Sequence, residues 1–77
     1  MDDREFLERT KLRHPVEWRA LPQGIKELLE DYADDQNLEN LLEIERLGDL
    51  HEDIGVSTHH VPALRKYLGI MTEEVEQ

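Results

Sequence analysis

Residues 22–34 read Pro-Gln-Gly-Ile-Lys-Glu-Leu-Leu-Glu-Asp-Tyr-Ala-Asp and carry the strongest periodic pattern in the chain. Their apolar residues recur at intervals of three and four, the spacing of one face of a helix. These residues are Ile25, Leu28, Leu29, Tyr32 and Ala33. The acidic residues of the segment fall on the opposite face, and Pro22 stands where the helix should begin. The segment therefore predicts an amphipathic helix with one side in the core.

On the N-terminal side, two further helices are predicted. Asp2 or Asp3 can cap a helix that extends to about residue 12. Phe6, Leu7 and Thr10 share one side of that helix. Pro15 ends it, because the residue before a proline avoids the α region, and begins a short helix over residues 15–20. We expect Val16 and Trp18 to anchor this second helix.

On the C-terminal side, residues 34–37 are typical of a helix end followed by a new cap. Leu38, Leu41, Leu42, Ile44 and Leu47 then predict a helix that ends at Gly48. A short element over residues 49–54 follows. The last predicted helix contains Ala63, Leu64, Tyr67 and Leu68 and ends at Gly69.

The fold class expected from these patterns is all-α. No alternation typical of a β-strand extends over a useful length. We expect a compact single domain of five to six short helices over residues 1–70, and a frayed acidic tail over residues 71–77. A chain of 77 residues buries only about 60% of the surface that it exposes when unfolded.

The formal net charge of −10 is concentrated in one part of the chain. Residues 27–53 contain eleven acids and one base, whereas residues 54–72 contain no acid. Such a distribution can steer a charged partner; the alternative is a solvated acidic face that keeps the protein soluble. The first interpretation predicts a protein-interaction site at Glu27, Glu30, Asp31, Asp34, Asp35, Glu39 and Glu43.

Residues 47–66 contain the most informative motif, Leu-Gly-Asp-Leu-His-Glu-Asp-Ile-Gly-Val-Ser-Thr-His-His-Val-Pro-Ala-Leu-Arg-Lys. Gly55 suits a left-handed turn, and Ser57 or Thr58 suits the cap of a following helix. The stretch resembles the helix-turn-helix family of DNA-binding domains. That resemblance implies a recognition helix over residues 59–68. It implies nucleic-acid contacts at Thr58, His59, His60, Arg65 and Lys66.

A second resemblance involves a larger part of the chain. It depends on Trp18, Tyr32-Ala33, Leu41-Leu42, Asp49-Leu50, Ile54-Gly55-Val56, Arg65 and Leu68. These residues are similar to the skeleton of sterile alpha motif domains, which are five-helix interaction modules. The resemblance implies self-association between the acidic segment 27–53 and the acid-free segment 54–72.

The residues do not suggest an enzyme, a cofactor or a metal site. The chain has no cysteine, its four glycines are isolated, and its four histidines show no recognised zinc spacing. It contains no long apolar run, and its first residues are acidic and polar, so we expect neither a membrane span nor a secretory signal peptide. The expected location is the cytoplasm.

Three functional hypotheses remain. In the first, the chain is a small regulatory or adaptor module whose acidic face over residues 27–53 docks on a basic protein surface. In the second, it is a helix-turn-helix DNA-binding regulator that uses residues 58–66. In the third, it self-associates as sterile alpha motif domains do. We prefer the first, with a monomer or a weak homo-oligomer, because eleven acids beside the reading helix oppose binding to phosphates.

Overall fold

A computed structural model describes residues 2–47 and 56–75. These residues form α1 (Asp3–Arg13), α2 (Pro15–Arg19), α3 (Gln23–Asp34), α4 (Leu38–Leu47) and α5 (Val61–Val75). A 3-10 turn over Thr58–His60 precedes α5. The described residues contain no strand. The all-α fold class is therefore confirmed, and the described residues contribute five of the five to six predicted helices.

The helices belong to two compact units, Met1–Leu38 and Glu39–Gln77. In the first unit, α1 packs against both α2 and α3. The second unit contains α5 and all of α4 except its first residue. The single domain expected over residues 1–70 stays a prediction.

The core of the first unit comes from the predicted periodic residues. Ile25, Leu29 and Ala33 are buried in α3, whereas Leu28 and Tyr32 are half-buried at its side. From α1 come Phe6, Leu7 and Thr10, and Leu21 and Leu38 complete the set. The hydroxyl of the buried Thr10 donates to the carbonyl oxygen of Phe6 at 2.9 Å, so the polar group is satisfied.

Helix α2 is anchored differently from the prediction. Val16 was expected to be an anchor, but it is 71% exposed. A helix of five residues has little more than one turn, so it can bury only one narrow side. That side carries the half-buried Trp18, and the buried Leu21 follows three residues later. The Nζ atom of Lys11 lies 4.8 Å from the centre of the Trp18 ring, a cation–π contact between α1 and α2.

Helix α5 is longer than predicted. It begins at Val61, which places Pro62 at the second position, where a missing N–H costs nothing. It continues through Gly69, the predicted end, to Val75. Continuation is favoured because Met71 is fully buried one turn after Tyr67 and Leu68. Residues 71–75, expected to be a tail, therefore belong to the helix.

Several sequence-based expectations concern residues outside the described ranges. They include the helix end at Gly48, the short element over residues 49–54 and the turn at Gly55. The first part and the turn of the predicted helix-turn-helix unit are therefore not described. Residues 76–77 of the predicted tail lie outside the described ranges as well.

Helix α3 ends in a Schellman motif. The Asn37 N–H donates to the Tyr32 carbonyl at 2.8 Å, and the Gln36 N–H donates to the Ala33 carbonyl at 3.1 Å. Gln36 occupies the left-handed position with a φ of 56°, where glycine is the usual residue. The predicted boundary at residues 34–37 is thus confirmed.

The side chain of Gln36 joins the C-terminal end of α3 to the start of α1. Its Oε1 atom accepts the backbone N–H of Asp3 at 3.0 Å, and its Nε2 atom donates to the Asp2 carboxylate at 3.1 Å. Asp2 is the N-cap of α1, because its Oδ1 atom accepts the Arg4 N–H at 2.8 Å. The hydrogen bond from Gln36, followed by that from Arg4, lowers the pKa of the Asp2 carboxyl below its ordinary value of 3.8.

The cap of α4 comes from α1. The Oδ2 atom of Asp3 accepts the backbone N–H of Leu38 at 3.0 Å. The sequence suggested that a residue of the 34–37 stretch would supply this cap. Gln36 is instead engaged with the start of α1, and Asp3 fills the role from 35 residues earlier in the chain.

Candidate protein-interaction surface

The acids of α3 have two different environments. Glu27, Asp31 and Asp34 are exposed, whereas Glu30 is half-buried on the side of α3 that meets α1. Asp35, directly after the helix, is exposed as well. The predicted acidic face of this helix therefore contains both paired and unpaired carboxylates.

Glu30 and Asp34 are neutralised by bases of α1. The Oε1 atom of Glu30 lies 3.2 Å from Nζ of Lys11 and 3.5 Å from Nη2 of Arg4. The Oδ1 atom of Asp34 lies 3.6 Å from Nη1 of Arg4. Glu8 joins the same two bases at 3.0 and 3.1 Å. Glu30 and Asp34 thus join α3 to α1, and two bases balance two of the three negative charges in this cluster.

The remaining acids of α3 and its C-cap form a line, which we call the acidic ridge: Glu27, Asp31 and Asp35. They are spaced four residues apart and thus lie along one face of α3 and its C-cap. All three are exposed, and none of them makes an ion pair with another described residue. The ridge is the part of the predicted interaction site that this unit leaves available.

The acidic ridge does not stabilise the helix that carries it. Like charges four residues apart in a helix cost about 0.2–0.5 kcal/mol per pair. Acids near the C-terminus also oppose the helix dipole, by roughly 0.3–1 kcal/mol each at exposed positions. Helix α3 has no acid in its first turn and no base in its last turn, which reverses the favourable arrangement. A cationic ligand on the ridge would relieve both penalties.

The other two predicted acids lie on α4, in the second unit. Glu39 and Glu43 are exposed and four residues apart, so they share a helix face. The Oε2 atom of Glu43 lies 3.8 Å from Nη1 of Arg46, a long contact between two exposed side chains. Glu39 lies in the first turn of α4, where an acid favours the helix dipole.

The predicted nucleic-acid contacts lie around the start of α5. Thr58 and His59 are exposed in the 3-10 turn, and His60 is half-buried. The rings of the two histidines pack at 4.1 Å between centroids, and Nδ1 of His59 lies 2.8 Å from Oγ of Ser57. Arg65 and Lys66 are exposed on the first turns of α5.

Within the described ranges, no group of three or more His, Cys, Asp or Glu side chains is arranged to hold a metal ion. Over the same residues, no helix combines the length and the apolar character that crossing a bilayer requires.

Sequence reasoning missed one notable surface of the first unit. Leu12 is 81% exposed at the end of α1, and Val16 is exposed just after it. The sequence does indicate that Leu12 is exposed. It lies two residues beyond the buried Thr10 and therefore points to the opposite side of the helix.

No protein-family model matches the chain, and neither a curated protein nor a solved structure shows a significant match to it.

Proposed function

We propose that this chain is a small, non-enzymatic regulatory or adaptor module of the cytoplasm. It acts by protein–protein contact and docks its acidic ridge on a basic surface of a partner. The observation that supports this proposal is the ridge itself: three exposed carboxylates in line on α3 and its C-cap, with no ion pair among the described residues.

The contrast with Glu30 strengthens the proposal. Glu30 carries the same charge as the ridge residues and lies on the same helix, yet it contacts two bases of α1. Glu27, Asp31 and Asp35 have no such structural role, and their position makes α3 less stable. Carboxylates held in this way gain most from basic groups on another protein, and their field speeds the encounter.

Charge reversal at a single ridge residue tests the proposal. Asp31→Lys places a base in the last turns of α3, and Glu73→Lys does the same near the end of α5. Both residues are exposed, and both substitutions change the net charge equally. The pair is therefore matched in charge, exposure and expected effect on the helix dipole.

The experiment is a pull-down from the source cell with the wild-type chain and the two variants, followed by an affinity measurement on the captured protein. We expect Asp31→Lys, and more strongly Asp31→Lys with Asp35→Lys, to weaken capture at least about tenfold, which is 1.4 kcal/mol. Glu73→Lys should bind like the wild type. Equal binding by all the variants would remove the ridge from the interaction.

DNA binding is the second candidate function. The observation that favours it is the pair of exposed bases Arg65 and Lys66 on the first turns of α5, next to the Thr58–His60 turn. In helix-turn-helix domains the start of the recognition helix meets the major groove.

A fluorescence anisotropy titration with random duplex DNA at about 50 mM salt separates the two functions. If the adaptor proposal holds, no binding should occur below roughly 10⁻⁴ M DNA. Binding that is tighter, falls steeply with salt and is lost in Arg65→Ala with Lys66→Ala would favour DNA recognition instead.

A further inference from the structure

Helix α3 carries a second row of side chains next to the acidic ridge. This row consists of Leu28 and Tyr32, which are half-buried and which we call the apolar flank. Glu30 lies two residues from each of them and therefore points to the other side of the helix, where it contacts the bases of α1. The apolar flank thus borders the ridge on the side away from the ion pairs.

Helix geometry places the ridge and the apolar flank on one surface. Asp31 follows Leu28 by three residues, and Asp35 follows Tyr32 by three. Residues three apart on a helix are neighbours, with their Cβ atoms about 5–6 Å apart. Asp35 is the C-cap, and its φ of −84° and ψ of 3° nearly continue the helical path. The ridge therefore extends over about 12 Å, since each residue of a helix rises by about 1.5 Å.

The side chains of this surface are available for binding. Among the described residues, none forms a hydrogen bond or an ion pair with the side chain of a ridge residue or of Tyr32. Leu28 and Tyr32 are only half-buried, so each of them keeps apolar surface in contact with water. The surface thus combines three carboxylates in line with two apolar side chains beside them.

We propose that this surface binds an amphipathic basic helix of the partner, with Lys or Arg at every fourth position and apolar side chains in the adjacent row. The inference rests on the proposed function, in which the ridge docks on a basic surface, and it adds the form of that surface. Charge complementarity selects the bases. Their repeat of four residues, about 6 Å along a helix, equals that of the ridge. The apolar flank gains free energy when the apolar row covers it.

Two adjacent rows favour a helix over an extended segment. Successive side chains of a strand point to opposite faces, so a base and the apolar residue next to it cannot both face α3. If bases and apolar residues alternate along one face of a strand, the bases are about 13 Å apart, twice the spacing of the ridge. Rows of residues four apart interdigitate in the commonest packing of two helices. A nucleic acid is disfavoured because its phosphates are repelled by the three carboxylates.

Four synthetic peptides test the proposal on the full chain labelled with ¹⁵N. The first is a capped amphipathic helix of Leu and Lys. The second replaces Leu with Ala, the third has a central proline that breaks the helix, and the fourth replaces Lys with Glu. Amide chemical shifts recorded during each titration report which residues of the chain are contacted.

The Leu–Lys peptide should shift the amides of residues 24–35 saturably, with a dissociation constant below about 1 mM. The Ala–Lys peptide and the proline peptide should each bind at least about tenfold more weakly, because the first lacks the apolar row and the second cannot align its bases with the ridge. The Leu–Glu peptide should leave these amides unchanged.

Variants give a second readout. Leu28→Gln with Tyr32→Gln should weaken the Leu–Lys peptide at least about tenfold and leave the Ala–Lys peptide unaffected. Asp31→Asn with Asp35→Asn should weaken both peptides. The control, Leu12→Gln with Val16→Gln, removes two exposed apolar side chains outside α3 and should weaken neither. Circular dichroism checks that each variant is folded, and the amide map of the wild-type chain does not depend on the variants.

The outcomes separate this inference from the proposed function. Equal binding of the Leu–Lys and Ala–Lys peptides, or of the Leu–Lys and proline peptides, would overturn the helical amphipathic partner and leave the ridge as a site for bases. If none of the Lys peptides shifts residues 24–35 at about 1 mM, both the inference and the docking role of the ridge are wrong. A response to the Leu–Glu peptide as strong as that to the Leu–Lys peptide would also contradict both.

Discussion

The Nζ atom of Lys11 lies 3.2 Å from the Oε1 atom of Glu30, and this ion pair joins α1 to α3. The same carboxylate oxygen lies 3.5 Å from Nη2 of Arg4, so one acid contacts two bases a full seven residues apart on α1. Single ion pairs on a surface contribute little, but a shared acid within a network contributes more. Glu30 is therefore a structural residue on the same helix that carries the acidic ridge.

Removal of the charge of Glu30 should lower stability. We expect Glu30→Gln to reduce the free energy of unfolding by about 0.5–1 kcal/mol in urea denaturation at low salt. The matched variant Glu27→Gln, on the same helix but without an ion pair to a described residue, should leave it unchanged or slightly raised, since a like charge near Asp31 is removed. The difference should shrink in 1 M salt. An equal decrease in the free energy of unfolding in both variants would contradict the ion pairs of Glu30 with Lys11 and Arg4.

Asp3 should be required for the start of α4. Asp3→Ala removes the acceptor of the Leu38 N–H and should cost about 0.5–2 kcal/mol, the range for loss of a helix cap. Hydrogen exchange at the Leu38 amide should accelerate by more than the decrease in global stability explains. Asp3→Asn keeps a side-chain oxygen and should restore most of the protection. If the Leu38 amide is equally protected in the alanine variant, the cap does not act in solution.

Stability should depend on the charge of Asp2 at low pH. Because its pKa in the folded chain is lowered below 3.8, the ionised carboxylate stabilises the folded state above pH 3.8. That contribution is lost as the pH falls through the lowered pKa. In Gln36→Ala the largest cause of the shift is absent, so the pKa should rise towards 3.8. Carboxyl ¹³C titration of Asp2 measures this change directly, and an unchanged midpoint in the variant would exclude the contact.

Gly69 should be replaceable with a gain in stability. A Cβ atom at this position meets no atom within 4 Å, and the residue lies inside α5. Gly69→Ala should therefore raise the free energy of unfolding by about 0.5–1 kcal/mol. Gly24 has equal space but lies in the first turn of α3, so Gly24→Ala should give a smaller gain. A destabilised Gly69→Ala chain in thermal denaturation would show that the glycine is needed for another contact.

Periodicity predicted the helices well wherever burial followed one face. The Ile25, Leu29 and Ala33 series and the Phe6, Leu7 and Thr10 series are buried as expected. The boundaries set by Asp2, Pro15 and residues 34–37 also agree with the structure. These features depend on local rules of capping, proline geometry and helical spacing, which are readable from neighbouring residues.

The sequence-based predictions were wrong where packing against residues distant in the sequence determines where a helix ends or which side chain is buried. Gly69 looked like a helix end, but burial of Met71 favours continuation. Val16 looked like an anchor, but the side of α2 that carries Trp18 is the one that is packed. The division of the acids into paired and unpaired sets depends on which bases of α1 lie beside α3, and spacing within α3 cannot reveal it.

The hydrogen bond between Asp3 and Leu38 also has a kinetic consequence. Its partners are 35 residues apart, so the loop between them must close before the bond can form. The first turn of α4 then gains its cap only after α1 and α3 have come together, whereas the Asp2 cap of α1 is available from the outset. We therefore expect the first turn of α4 to form late in folding, after α1 and α3 have packed together. Destabilising α1 should slow the formation of α4, although α4 begins 25 residues after α1 has ended.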